Sequence, residues 1–110
     1  MDEQKLTSIF SALADPTRRA IIARLSSGEA SAGELAAPFG ISKPAISKHL
    51  KVLENADLIV RKKDAQWHRF QLQSDTLDVA SHWISRYREF WEERLDALDA
   101  YLKTNESSNR

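Results

Sequence analysis

The stretch from Ile41 to Ile59, ISKPAISKHLKVLENADLI, decides how this chain folds. Ser42 can open a helix by accepting a backbone N–H from the first turn, and Ile41 before it can pack on Ile46, four residues into the helix. Pro44 still falls in that first turn, where its missing N–H costs nothing. At about 100° per residue, Ile46, Leu50 and Leu53 share one narrow arc, which must be buried. Lys43, Pro44, Ser47, Lys48 and Lys51 lie on the opposite side. His49 sits on the border, where it can contact a phosphate or base, or rest half-buried and bonded to the backbone.

Upstream, Leu6, Ile9, Phe10 and Leu13 recur at helical spacing, which predicts an amphipathic helix from about Glu3 to Ala14. It stops at Asp15-Pro16, where Asp15 can cap a second helix and Pro16 can take its first position. Ile21, Ile22 and Leu25 give that helix its apolar face, and Gly28 ends it. Ser31 opens a short third helix with Leu35 and Ala36 inward, and Pro38 with Gly40 forces a turn into the stretch quoted above. Downstream of Asn55 the period changes. LIVRKK and WHRFQL are rich in β-branched and aromatic residues, with DAQ between them, so the chain turns back as a hairpin. His68, Phe70 and Leu72 share one face, Trp67, Arg69 and Gln71 the other, and Arg61, Lys62 and Lys63 are expected to load the tip with charge. Asp75 is expected to cap a last long helix reaching about Lys103, and residues 104–110 read as a flexible polar tail.

A chain of 110 residues, 42% hydrophobic, is long enough for one modest core. Residues 1–103 are therefore expected to form a single domain, with the helix-turn-helix at about 31–55, the hairpin at about 58–72 and the last helix at about 75–103. With no cysteine, disulfides, thiolate metal sites and cysteine nucleophiles are excluded. No apolar run approaches a membrane span, and the start MDEQKLTSIF lacks the regions of a signal peptide, so a cytoplasmic location is expected. No glycine-rich phosphate loop and no local serine, histidine and aspartate arrangement point to an enzyme. The net charge is zero but unevenly placed. From Ile41 to Phe70 seven basic residues face three acidic ones, and from Asp75 to Lys103 four basic residues face seven acidic ones.

Two helices joined by a very short turn, the second with a basic and hydroxylic outer face, followed by a cationic hairpin, make a winged helix-turn-helix. A helix of this width fits the major groove of DNA, its first turns reach base edges, and the hairpin holds phosphates alongside. The expected fold is mainly α with a β-hairpin. The expected partner is double-stranded DNA, with no cofactor.

The sequence resembles the ArsR family of bacterial winged-helix repressors over roughly Leu6 to Leu102. The resemblance rests on ALADPTRRAIIARL at Ala12 to Leu25, on ELAAPFGISKPAISKHLKVLENADLI at Glu34 to Ile59, and on the hairpin that follows. It implies a homodimer that binds an operator and leaves it when a signal arrives, with Lys43, Pro44, Ser47, Lys48 and His49 facing DNA. Lys51 on the helix and Arg61, Lys62, Lys63 and Arg69 on the hairpin complete the expected contact set. Many members sense metals or arsenite through a cysteine pair at the start of the third helix, where this chain carries Ser31 and Gly33. Others use aspartate and histidine ligands on the last helix, where this chain holds only His82 among its three histidines. No zinc site is expected from His49, His68 and His82, which form no cluster.

The last helix carries Trp83, Ile84, Tyr87, Phe90, Trp91, Leu95, Leu98 and Leu102 at spacings of three and four. That stripe is too large for a small monomer to cover, so pairing with the same helix of a second subunit is expected, aided by Leu6 and Phe10 of the first helix. It is similar to an aromatic-rich branch of the family. A winged helix used for protein contacts, or a metal-responsive repressor with a His/Asp/Glu site, are the competing readings.

Overall fold

The computed structural model describes residues 3–108. Helices α1 (Glu3–Leu13) and α2 (Pro16–Leu25) lead into a two-residue strand β1 (Ala30–Ser31), the short helix α3 (Ala32–Ala36) and a 3-10 turn (Ala37–Phe39). Then come α4 (Lys43–Asn55), the hairpin β2 (Ile59–Asp64) and β3 (Trp67–Leu72), and α5 (Ser74–Ser108). The chain divides into two compact units, Met1–Ala80 and Ser81–Arg110. In the second unit the described side chains are exposed except Trp83, which is half-buried, so its apolar stripe adds nothing to a core.

The core of the first unit is built from the faces that the helical spacing marks. Ile9, Ala12, Ile21, Leu25, Leu35, Ile46, Leu50, Leu53, Leu58, Ile59 and Phe70 are buried together. Leu6, expected at a dimer interface, is 4% exposed and Phe10 is half-buried against the core. Both sit on the arc of α1 that carries Ile9, so the chain itself covers them.

The sheet is antiparallel with order β1-β3-β2. Strand β1 has no counterpart in the sequence reading. Ala30 pairs with Phe70 and Ser31 with Arg69, which makes β3 the central strand. Asp64 pairs with Trp67, so only Ala65 and Gln66 form the loop. Ala65 takes φ 56°, in the left-handed region that a Cβ disfavours. Ala65→Gly is expected to stabilise the protein by about 1 kcal/mol, read as a higher urea midpoint at unchanged slope.

Helix α4 is closed at both ends. Ser42 Oγ accepts from the Ala45 N–H at 3.3 Å. At the other end the Leu58 N–H donates to the Leu53 carbonyl and the Asp57 N–H to the Glu54 carbonyl, with Asp57 at φ 59°. This is a Schellman motif, with Leu58 and Leu53 both buried as its apolar contact. The buried Thr76 hydroxyl donates to the Asp57 carbonyl, which ties the first turn of α5 to this turn.

Helix α5 starts at Ser74, so Asp75 lies inside its first turn and is not the cap that was expected. It also runs to Ser108, five residues past the expected end. Neither glycine nor proline interrupts residues 104–108, and the Thr104 hydroxyl bonds back to the Ala100 carbonyl at 3.0 Å. The remainder of the expected tail, residues 109–110, lies outside the described residues. Among the described residues no helix is long and apolar enough to cross a membrane.

Candidate nucleic-acid interface

The outer face of α4 is set by what holds its inner face. Ile46, Leu50 and Leu53 are almost wholly buried, and this rotation leaves Lys43, Pro44, Ser47, Lys48 and Lys51 exposed. No acidic side chain stands among them along the helix until Glu54. Four of these five are cationic or hydroxylic donors, suited to phosphate oxygens and to the acceptor edges of bases.

His49 is half-buried, its side chain 23% exposed. Its ring bonds to a side chain and not to the backbone: Nδ1 lies 3.3 Å from Nη1 of Arg18. The Asp15 carboxylate is 4.0 Å from the same nitrogen.

The hairpin divides its cations between two faces. Arg61 pairs across the strands with Phe70, so its guanidinium lies 5.2 Å over that ring and 2.9 Å from Glu54 at the end of α4. Lys63 pairs with His68 on the same face. Lys62 pairs with Arg69 on the other face, where Lys62 reaches Glu29 at 3.4 Å. Arg61 and Lys62 thus sit along the strand and not at the tip, because the loop is only two residues long. The tip itself holds Asp64 and the 73% exposed Trp67. Exposed ion pairs of this kind contribute about 0–1 kcal/mol, so a phosphate can compete for either cation.

Arg18 and Arg19 were missed in the sequence. Both lie in the first turns of α2, where positive charge opposes the helix dipole, and that misplacement is the signal that could have found them. They serve the preceding helix. Arg18 donates to the carbonyls of Ala12 (2.6 Å) and Ser11 (3.2 Å), and Arg19 to that of Leu13 (2.7 Å), which supplies donors to the last carbonyls of α1, that of Ser11 also accepting the Ala14 N–H. Asp15 does the same for the start of α2, accepting from the Thr17 and Arg18 N–H groups at 2.8 and 3.1 Å.

Those N–H bonds, that of Arg18 foremost, hold the Asp15 carboxyl below its ordinary value of 3.8, with the charges of His49 and Arg18 adding to the effect. A carboxyl lowered on folding stabilises the fold above its unfolded value and loses that contribution as pH falls through the lowered one. Asp15→Asn keeps a capping oxygen but not the charge. Its melting temperature is therefore expected below that of the parent chain at neutral pH, with the gap closing as pH falls below 3.8 and through the lowered value. A gap unchanged across that range would remove the charge from the account.

Ser31 and Gly33, where no thiolate site is expected, have structural places at the start of α3. Ser31 caps α3, its hydroxyl accepting from the Glu34 N–H and donating to the Glu34 carboxylate, both at 3.2 Å. Gly33 lies within α3. Among the described residues no group of three or more His, Asp or Glu side chains is placed to hold a metal ion.

On the last helix, the large apolar side chains from Ile84 to Leu102 are 46–63% exposed. Trp83 and Tyr87 contact each other with tilted rings, 4.4 Å between centroids and 41° between planes, and the Arg94 guanidinium lies 4.4 Å over the Phe90 ring. The stripe is laid out as the sequence spacing requires.

A capped helix with a basic outer face, preceded by a short helix and followed by a three-stranded sheet with a cationic hairpin, defines a winged helix-turn-helix transcriptional regulator. Known proteins agree. The family described as a helix-turn-helix domain matches residues 13–62. The transcriptional repressor SdpR of Bacillus subtilis is 35% identical over 82 residues, 74% of this chain and 91% of that protein. The arsenical resistance operon repressor of Staphylococcus xylosus is 36% identical over 78 residues, 71% of this chain and 75% of that one. Among solved structures, one described as an ArsR family transcriptional regulator matches with a TM-score of 0.77 at 36% identity, covering 84% of this chain and 95% of its own. An ArsR-like transcriptional regulator from Rhodococcus sp. RHA1 gives a TM-score of 0.73 at 32% identity, covering 86% and 90%. The chain belongs to the ArsR family of winged helix-turn-helix transcriptional regulators.

Proposed function

We propose that this protein is a sequence-specific DNA-binding repressor that acts in the cytoplasm as a homodimer and is released from its operator by a signal that does not involve thiols. The observation that carries the reading is the outer face of α4, where Lys43, Ser47, Lys48 and Lys51 are all exposed on a helix whose rotation is fixed by its buried face. Repression is supported by the relatives that carry that name, and the thiol-free signal by the absence of cysteine. Lys63 and Arg69, with Arg61 and Lys62 once freed from their carboxylates, add phosphate contacts from the hairpin. The exposed stripe of α5 supports the dimer, and a two-fold dimer suits half-sites about 34 Å apart.

The test is selection of bound genomic fragments followed by titration at several salt concentrations. The operator should be preferred over random duplex by about 10³ or more, with affinity falling steeply as salt rises. Ser47→Ala or Lys48→Ala should cost about 1–3 kcal/mol and relax preference at one defined base pair. Lys63→Ala should weaken all sequences alike and lower the salt slope by about one. A flat salt response with no preferred fragment would sink the repressor reading and leave α4 as a docking face for an acidic protein.

A further inference from the structure

The contact between Arg18 and His49 does more than join α2 to α4. A guanidinium carries only donors and stays protonated, so it can bond Nδ1 of His49 only where that nitrogen holds its lone pair. The neutral imidazole then carries its proton on Nε2. The Asp15 carboxylate faces Nδ1, but at 4.0 Å it is out of hydrogen-bond reach, and the same oxygen already accepts two backbone N–H groups. Arg18 cannot swing away freely either, since its other nitrogens are held by the Ser11 and Ala12 carbonyls.

The far side of the ring is open. Nε2 bonds to no group among the described residues, and no side-chain nitrogen or oxygen of a half-buried residue is left both buried and unpaired. Nε2 therefore reaches solvent, on a residue that follows Lys48 at the border of the exposed face of α4.

We propose that Arg18 is a positioning residue for DNA recognition: it fixes His49 as the Nε2–H tautomer, so that the border of α4 presents a hydrogen-bond donor to an acceptor atom of DNA. The inference rests on the DNA-binding reading of α4. Arg18 touches no DNA in this arrangement. It acts through the ring, and its anchorage on the α1 carbonyls makes the α1–α2 corner part of the recognition surface.

Long-range proton–nitrogen correlation spectra of the imidazoles in the full chain report the tautomer directly. For the parent protein, Nδ1 of His49 should be unprotonated and Nε2 protonated. In Arg18→Met both tautomers should be populated, and operator affinity should fall by about tenfold while the salt slope stays unchanged, since neither Arg18 nor a neutral imidazole neutralises a phosphate charge in this arrangement. His49→Gln, which keeps a terminal N–H donor, should bind within a few-fold of the parent, and His49→Phe should not. Loss with His49→Phe that is uniform over sequences identifies the acceptor as a phosphate, and loss at one base pair identifies it as a base.

A parent spectrum with the proton on Nδ1 overturns the proposal, as does a folded Arg18→Met that binds operator like the parent. If Arg18→Met fails to fold, the parent tautomer and the Gln/Phe pair decide. The tautomer is read without DNA, so a chain that shows it but selects no operator has lost the functional reading and kept the Arg18–His49 geometry.

Discussion

A Leu95→Glu chain is expected to sediment as a monomer and to bind an operator fragment at least about a hundredfold more weakly than the parent chain. Leu95 lies in the middle of a helix on which Ile84, Tyr87, Phe90, Trp91, Leu98, Tyr101 and Leu102 all expose half or more of their surface, or nearly so. A contiguous exposed apolar face of that kind is a candidate association site. A carboxylate placed within a paired copy of the stripe would be desolvated without a partner, at a cost of several kcal/mol. Two half-sites engaged by one dimer gain about 10²–10⁴ in affinity over one engaged alone, and a monomer forfeits that gain. Trp91→Ala should weaken the dimer in the same direction by removing one large apolar anchor. Circular dichroism should be unchanged in both, because neither side chain belongs to the buried core. A Leu95→Glu protein that sediments as an intact dimer would place the subunit contact elsewhere.

Phe70→Ala carries the largest expected loss of stability, about 3–5 kcal/mol in urea unfolding. Phe70 is 2% exposed in the central strand, with Ala30 of β1 on one side and Arg61 of β2 on the other. Truncating it opens a cavity beneath the sheet and removes the ring on which the Arg61 guanidinium rests. Domains of this size hold about 5–15 kcal/mol in total, so a large share of the variant should be unfolded at 37 °C. A loss below about 1 kcal/mol would mean that the hairpin is dispensable to the core.

What the sequence made legible was whatever depends on neighbours three or four residues away. Helix α4 could be placed to the residue because its cap, its proline and its buried arc all lie within one short stretch, and each signal agrees with the others. The hairpin was legible from its change of period. Its charges were placed wrongly because register depends on loop length: a two-residue loop puts Arg61 opposite Phe70, well away from the tip. Strand β1 left no trace, since two residues have no period and Ala30 and Ser31 become a strand only by pairing with β3. The placing of Leu6 meets a different limit, since in the single chain it is already 4% exposed. Its spacing shows that it must be buried, but not by which chain.

The same limit governs the candidate interface. Exposed lysines on α4 follow from the helical repeat alone. The bond between Arg18 and His49 spans 31 residues and exists only because the α1–α2 corner packs beside α4. Arginines in a first turn were the available sign, and reading them required knowing that the carbonyls of α1 end there.

The closure of α4 at both ends has an entropic consequence. Ser42 fixes its first turn, and the Leu58 and Asp57 N–H groups, backed by Thr76, fix its last. Association with DNA then has little backbone left to order. On the proposed reading of α4, the freedom surrendered on binding would fall on the long side chains of Lys43, Lys48 and Lys51, about 0.5–1.5 kcal/mol for each one immobilised. Lysines that keep a mobile head group against phosphate surrender less than that, so this helix is suited to finding a site quickly and testing many sequences before one of them holds it.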